Sequence, residues 1–342
     1  MAMPEVYVAG IGTRLPGPPV DNEALAGALG VNREWIEQFI GTRTRHFARD
    51  PRTGETRWSL ADLCARAAER ALADCAADPA RIEFAVLATA TPDALMPATV
   101  NLVADQLGLN QLPTYQLQSG CAGAVQALDV ARSLIQCGRY STGLVLGGDI
   151  SAKHLDVSLG PSGAGPAELV NHVLFGDGAG AAVLSAQPEG RRLLLSHVLN
   201  RLIGTGLDPG QTVEWFGAAE RGRQDGRAAV AEDYKAVEQL VPTLAAEIVW
   251  EMIDDLGWDA ARLDFLLPPQ LSGRMTARIV EGLGLPGAKE ISCVADTGNT
   301  GNALPFFQLE RLADVIAPGQ RALAAAVESS KWIKAGFALE AV

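Results

Sequence analysis

The sequence predicts an α/β protein built from two similar units, and three observations carry that prediction. Apolar, β-branched runs alternate with long helical stretches, the same rhythm restarts after Pro188, and the 342 residues are 48% hydrophobic against 20% charged. That composition supplies a large core and a length prior of about two domains, while the 36 Gly and 19 Pro are spread along the chain rather than pooled in a linker. The units are expected to pack closely, with boundaries at 1–187 and 188–342.

In the first unit the strand candidates are Val6–Ile11, Phe84–Ala90, Thr114–Leu117, Leu144–Leu146 and Ala181–Leu184, each bounded by turn-forming residues. Helices are expected over Ser59–Ala76, Ala98–Leu107 and Ala122–Cys137, the last closed by Gly138. The second unit repeats the pattern. Its strand candidates are Leu193–Leu199, Phe265–Leu267, Ile291–Val294, Ala322–Val327 and Gly336–Leu339; its helices are Asp233–Leu256, Ser272–Gly282 and Asn302–Ile316. Both units run strand, long helix, strand, helix, strand, which predicts a duplicated arrangement with helices on both faces of mixed sheets. Gly204–Arg227, rich in Gly, Arg and Asp, reads as a long mobile loop.

Twenty-eight basic against 40 acidic residues leave a net charge of −12, which excludes a surface dominated by phosphate contacts and hence nucleic-acid binding. A local basic patch for an anionic carrier or a coenzyme phosphate remains compatible with it. The five cysteines are odd in number, form no C-x-x-C pair and show no zinc spacing, as expected of a reduced cytoplasmic protein. Neither a signal-peptide pattern nor an apolar run of about 18 residues is found, so the expected protein is soluble and unexported, with no metal.

The sharpest local feature is Leu117-Gln118-Ser119-Gly120-Cys121-Ala122-Gly123-Ala124, where a strand ends in a small-residue turn and a helix begins. A thiol there meets unpaired backbone N–H groups and the positive end of the helix dipole, which predicts a lowered pKa and a nucleophile. One of those N–H groups would be half of an oxyanion hole. The pattern fits equally a small buried cysteine filling a tight corner. The glycines of Phe175-Gly176-Asp177-Gly178-Ala179-Gly180-Ala181 are not read as a dinucleotide fingerprint, which needs strand, turn, then helix; apolar β-type runs on both sides predict a strand-to-strand connection.

Taken together, the Gly120-Cys121-Ala122-Gly123 elbow, the Phe175–Ala181 run and Thr297-Gly298-Asn299-Thr300 resemble the β-ketoacyl-acyl-carrier-protein synthase III group of the thiolase superfamily. Glu34-Trp35-Ile36 with Arg43-x-Arg45-His46, Thr91-Pro92-Asp93 and Pro318-Gly319-Gln320 extend the resemblance nearly end to end. It implies a thiolase-like duplicated five-layer αβαβα fold, a homodimer, and ping-pong chemistry on a thioester of CoA or acyl carrier protein, with no further cofactor. Cys121 falls on the nucleophile and Asn299 on the asparagine that hydrogen-bonds a thioester carbonyl or enolate. Trp35, Phe39, Phe175 and Arg274 fall on substrate- or carrier-binding positions.

Departures from the family pattern set the functional expectation. Where the family carries Pro-His-Gln-Ala-Asn, this chain reads Pro268-Pro269-Gln270-Leu271-Ser272, so the histidine position is Pro269, which cannot donate a proton or hold an enolate oxygen. Only His46, His154, His172 and His197 could replace it, with His172 in an apolar strand lead-in. The glycine triplet that supplies the second oxyanion N–H is replaced by Glu328-Ser329-Ser330, which keeps a backbone N–H at Ser329 but brings side chains into the space, or forms a solvated charged turn. Phe39 stands where the family's adenine-stacking arginine falls, which favours a carrier-borne donor.

The expectation is an acyltransferase that loads an acyl or aroyl group onto Cys121 and passes it to an O, N or S acceptor, in secondary metabolite biosynthesis. A condensing synthase forming a carbon–carbon bond and a non-catalytic subunit of a heterodimer are the alternatives.

Overall fold

A computed structural model describes residues 3–50, 53–155, 166–214 and 230–342. The first half contains β1 (Tyr7–Arg14), β2 (Val20–Asp21), α1 (Asn22–Leu29), α2 (Arg33–Phe39), β3 (Thr44–Arg45), α3 (Leu60–Asp74) and β4 (Ala85–Thr89). It continues through α4 (Thr99–Gln106), β5 (Thr114–Gln118), α5 (Gly123–Gln136), β6 (Thr142–Asp149), α6 (Pro166–Leu174) and β7 (Gly178–Ser185). The second half contains β8 (Leu193–Leu202), β9 (Gln211–Val213), β10 (Val230–Glu232), α7 (Tyr234–Leu256), β11 (Phe265–Leu267) and α8 (Gly273–Leu283). It ends with β12 (Lys289–Glu290), α9 (Val294–Thr297), α10 (Leu304–Ala313), β13 (Arg321–Glu328) and β14 (Ile333–Ala341).

Ten strands form one sheet in the order β12-β11-β13-β14-β8-β1-β7-β6-β4-β5. Its seam is the short antiparallel contact of β1 with β8, Tyr7 opposite Leu194 and Val8 opposite Leu193. Reading outward from that seam, β1, β7, β6, β4, β5 on one side and β8, β14, β13, β11, β12 on the other have the same order and the same parallel and antiparallel pairings.

Side-chain alternation turns this sheet into layers, because successive strand residues face opposite sides. Phe84, Val86 and Ala88 join Ala322, Ala324 and Ala326 in a central cluster around α5 and α10. Ala85 and Leu87 instead pack with α3 and α4, and Leu323, Ala325 and Val327 with α7 and α8. The result is helix, sheet, helix pair, sheet, helix, the five-layer thiolase-like arrangement. Because the sheets are covered on both sides, strands such as β6 and β7 are buried at every position.

Helix ends follow local chemistry. Ser59 and Asp62 form a capping box at α3, and Asp93 of the Thr91-Pro92-Asp93 motif accepts the Leu60 and Ala61 N–H groups at 2.9 and 2.8 Å. Asp233 caps α7, and Gly257, at φ +60°, closes it.

Three expectations are corrected. The strand placed at Ile291–Val294 is only Lys289–Glu290, because the Gln270 carboxamide oxygen accepts the Cys293 and Val294 N–H groups at 2.7 and 2.8 Å and turns the chain into α9. The Phe175–Ala181 run is preceded by α6, not by a strand, so it links helix to strand, and His172 is a buried helical residue. Within Gly204–Arg227, Gln211–Val213 forms β9 paired with β10; residues 215–227 lie outside the described residues. Among the described residues no helix is long and apolar enough to cross a membrane.

Candidate active site

Cys121 stands in the turn between β5 and α5, where small residues let the backbone bend sharply. Gly123 is required there: a Cβ at that position would come within 2.4 Å of the Asn302 amide oxygen. The turn is tied from across the molecule. Asn302 Nδ2 donates to the Ser119 carbonyl and to Asp149 Oδ2, each at 2.9 Å. Asp149 is buried and also takes the hydroxyls of Thr89 and Thr91 and the Ala90 N–H, so its charge is satisfied by hydrogen bonds rather than by a cation.

The expected lowering of the thiol pKa is overturned. Burial, then the carboxylates of Glu328, Asp149 and Glu232, push the Cys121 thiol up to about 12. The helix terminus does not offset that burial, because Glu328 Oε2 accepts the Ser119 hydroxyl at 2.8 Å and the Ala122 N–H at 3.3 Å, so the anion stabilised by α5 is this carboxylate. Glu328 is itself 5% exposed and also takes the Ser330 hydroxyl. The Glu328–Lys334 segment is therefore not a solvated turn. Trp332 is buried and donates from Nε1 to the Asp208 carbonyl at 2.8 Å.

Cys121 is the meeting point of two cavities. One brings it together with Asn299, Ser329, Pro269, Gln270 and Glu232. The other carries Thr91, Ser151 and His154. Phe175, Gln211 and Gly301 line both. Asn299 is buried and fixed by backbone bonds in both directions, its N–H to Leu174 O and its carbonyl from Gly176 N–H, each 3.0 Å. Its Oδ1 accepts the Gly301 N–H at 3.0 Å, which leaves Nδ2 as the donating end. Gly298 precedes it at φ +69°, where a Cβ would lie 2.9 Å from Arg45 Cβ. In the neighbouring run Asp177 tethers two other segments, its carboxylate accepting the Ala48 and Ala152 N–H groups, and burial raises its pKa to about 7.

The entrance residues also come together. Trp35 and Phe39 lie with ring centroids 6.3 Å apart, and the Arg274 guanidinium sits 5.9 Å from the Phe39 ring while Nη1 bonds the Gln38 carbonyl. All three line a groove with Leu271 and Val237, the two residues that groove shares with the Asn299 cavity. Phe39 is 57% exposed, an aromatic face presented to solvent beside a cation.

Comparison with known proteins places this geometry. Residues 115–201 match the family description 3-oxoacyl-[acyl-carrier-protein (ACP)] synthase III. The chain is 34% identical over 326 residues to β-ketoacyl-[acyl-carrier-protein] synthase III of Rhodospirillum rubrum, covering 92% of each chain. This chain belongs to the synthase III family. Among solved structures it resembles the 3-oxoacyl-(acyl carrier protein) synthase III of Pseudomonas aeruginosa PAO1 with a TM-score of 0.84 and 30% identity over 98% of both chains. It resembles AbyA1, named a tetronic acid condensing enzyme, with a TM-score of 0.94 and 54% identity over 98% of this chain and 99% of that one. Family membership makes acyl-thioester transfer or condensation its chemistry.

Against that family background, three residues beyond those read from sequence belong to the site. Asn302, three residues after Asn299, anchors the turn that Glu328 of the replaced triplet also holds; Glu232 and Gln211 enter the cavity from β10 and β9. Only Asn302 carried a local signal, the repeated Thr-Gly-Asn of residues 297–302. Of the four histidines, His154 alone lines a cavity that includes Cys121, and burial and Lys153 lower its pKa. His46 faces the carbonyls of Pro16 and Gly17, and His197 lies 3.5 Å from Asp255.

Proposed function

We propose that this protein is an acyl-transferring condensing enzyme: Cys121 takes an acyl group from a carrier-protein or CoA thioester and delivers it, without decarboxylation, to a nucleophile on a second substrate. The observation that carries this reading is Cys121 at the junction of two cavities, with Asn299 beside it and Pro269 where a histidine would serve decarboxylation. Proline has no proton to give or take, so loss of CO2 from a malonyl unit has no partner at that position.

The likeness to a tetronic acid condensing enzyme supports the reading. A tetronic acid is a five-membered β-oxygenated lactone, and closing such a ring by acylation forms acyl–oxygen and acyl–carbon bonds, neither of which requires decarboxylation. A hydroxyl acceptor is the first reading here; that neighbour's name favours carbon as the second. A role in secondary metabolism and a homodimeric assembly belong to the same proposal.

Within it the roles are distinct. The thiol attacks the donor carbonyl, and the N–H groups of Cys121 and Ser329 hold the oxyanion. Asn299 Nδ2 donates to the carbonyl oxygen of the bound thioester. Trp35, Phe39 and Arg274 receive the donor, Arg274 meeting an acidic carrier surface, and Phe175 divides the two cavities.

Intact-protein mass spectrometry with acetyl, malonyl, longer acyl and aroyl thioesters, on CoA and on carriers, tests this. A covalent adduct on the wild type, absent from Cys121→Ala and retaining a malonyl carboxylate, is expected. No adduct from any donor overturns it in favour of a non-catalytic subunit.

A further inference from the structure

With Pro269 at the histidine position, the group that moves protons during transfer has to come from elsewhere in the cavity. Among the described residues lining the Asn299 cavity, Glu232 is the only titratable side chain besides Cys121. It ends β10, where the ladder sets it opposite Gln211, and Gln211 Nε2 donates to its Oε1. Tyr234, the first residue of α7, hydrogen-bonds the same carboxyl and also reaches Asn171 of α6. Both partners are neutral, and no Lys or Arg is among the described lining residues. Much of the remaining wall is apolar, including Val237, Val241 and Leu304.

Among the described residues this carboxylate has no ion-pair partner, and its desolvation is the main reason its pKa rises to about 7. Among the described residues the groups facing it are Gln211 from β9, Tyr234 from α7, Asn171 through Tyr234 from α6, and Cys121 across the cavity. The two that titrate, Tyr234 and Cys121, are both shifted upward, so neither changes charge near neutrality.

We propose that Glu232 is the general base of the transfer step, the proton acceptor for the incoming nucleophile. The assignment rests on the acyl-transfer reading above. As the acceptor oxygen bonds to the acyl carbon on Cys121, its proton moves to the Glu232 carboxylate. The tetrahedral adduct then collapses, the acyl carbon–Sγ bond breaks, and the proton passes from Glu232 to the departing sulfur. A thioester and an alcohol become an ester and a thiol, with no net proton and no redox change. Gln211, which lines both cavities, is the positioning residue for that carboxylate.

The test separates loading from discharge. Cys121 is loaded from acetyl-CoA, the donor is removed, and loss of the adduct is followed by intact mass from about pH 5 to about pH 9, bracketing the shifted carboxyl. 1-Propanol is the acceptor probe, since a short alcohol suits the apolar wall. Wild type is expected to discharge faster as pH rises through about 7. Glu232→Gln, once loaded, should discharge on the order of 100-fold or more slowly, with the rise near neutrality gone. Glu232→Asp, which keeps a carboxylate, should recover part of the rate and keep the rise. Glu232→Gln that loads and discharges with the wild-type rate and profile overturns the proposal, as do equal losses and flat profiles in both variants. His154→Gln is the control from the second cavity, and a selective loss of discharge there with Glu232→Gln unaffected also overturns it. If wild type takes no acyl group from any thioester, the transfer reading itself falls, a result distinct from these.

Discussion

Glu328, at the end of β13, holds the Ser119 hydroxyl at 2.8 Å although 209 residues separate the two in sequence. The carboxylate thereby stands on the N-terminus of the helix that follows the nucleophile. A negative charge there disfavours a second one on sulfur. Glu328→Gln keeps the hydrogen-bond acceptor and removes the charge, so the Cys121 pKa should fall from about 12 toward the ordinary thiol range. The rate of iodoacetamide alkylation against pH measures it, and an unchanged profile contradicts the account.

Asn302 ties the same turn from the other side. Replacing it with Ala removes two bonds to Asp149 and Ser119 side-chain and backbone oxygens and leaves a buried carboxylate with one partner fewer from that side chain. An expected loss on the order of 1–3 kcal/mol in urea unfolding follows from leaving a buried charged acceptor underpaired. Cys121 acylation should slow as well, because the elbow loses its anchor.

Much of the architecture was legible in the sequence for a simple reason: β4, β6, β7 and β13 are buried runs bounded by turn residues, and α3 and α7 have capping side chains at their N-termini. The Cys121 elbow was legible because strand end, small-residue turn and helix start are contiguous. What failed depends on distant partners. Gln270 captures the Cys293 and Val294 N–H groups and ends a strand the local pattern favoured. Burial, reinforced by Glu328, raises the thiol pKa, which a helix-terminus argument alone cannot foresee. Glu232 carries no motif; its place in the cavity comes from the β9–β10 ladder and the start of α7.

Asp177 supplies a pH prediction. Its folded pKa, about 7, is above the ordinary 3.8, so the folded state binds the extra proton between those values. Its contribution to stability is therefore fully present below about pH 4 and is lost as pH rises through about 7; Glu232, also raised to about 7, acts in the same direction. In urea midpoints across that window, Asp177→Asn should show a shallower decline than wild type, and an equally steep one contradicts the assignment.

At the entrance, Arg274 lies beside Phe39 on the groove that leads to the Asn299 cavity. Charge reversal with Arg274→Glu should raise KM for a carrier-borne donor by about tenfold, roughly 1.4 kcal/mol, with kcat little changed. The effect should shrink with added salt, because steering between exposed charges is screened. The KM for a short thioester of N-acetylcysteamine, which presents no acidic carrier surface, should move far less. Equal shifts for both donors would remove Arg274 from carrier docking.

Pro269 offers the most direct test of why decarboxylation is absent from the proposed chemistry. It lines the same cavity as Cys121 and Asn299, and its carbonyl accepts the Thr276 hydroxyl at 3.1 Å, so the backbone at this position is held independently of the ring. Pro269→His would put a proton donor into that cavity without disturbing the bond to Thr276. Headspace or coupled CO2 measurement with a malonyl thioester should find little release by wild type and a measurable gain in the variant. A gain on the order of 100-fold is the scale one positioned acid–base group contributes. Wild type that releases CO2 as fast as Pro269→His would show that decarboxylation needs no imidazole here, and the non-decarboxylating reading would fall with it.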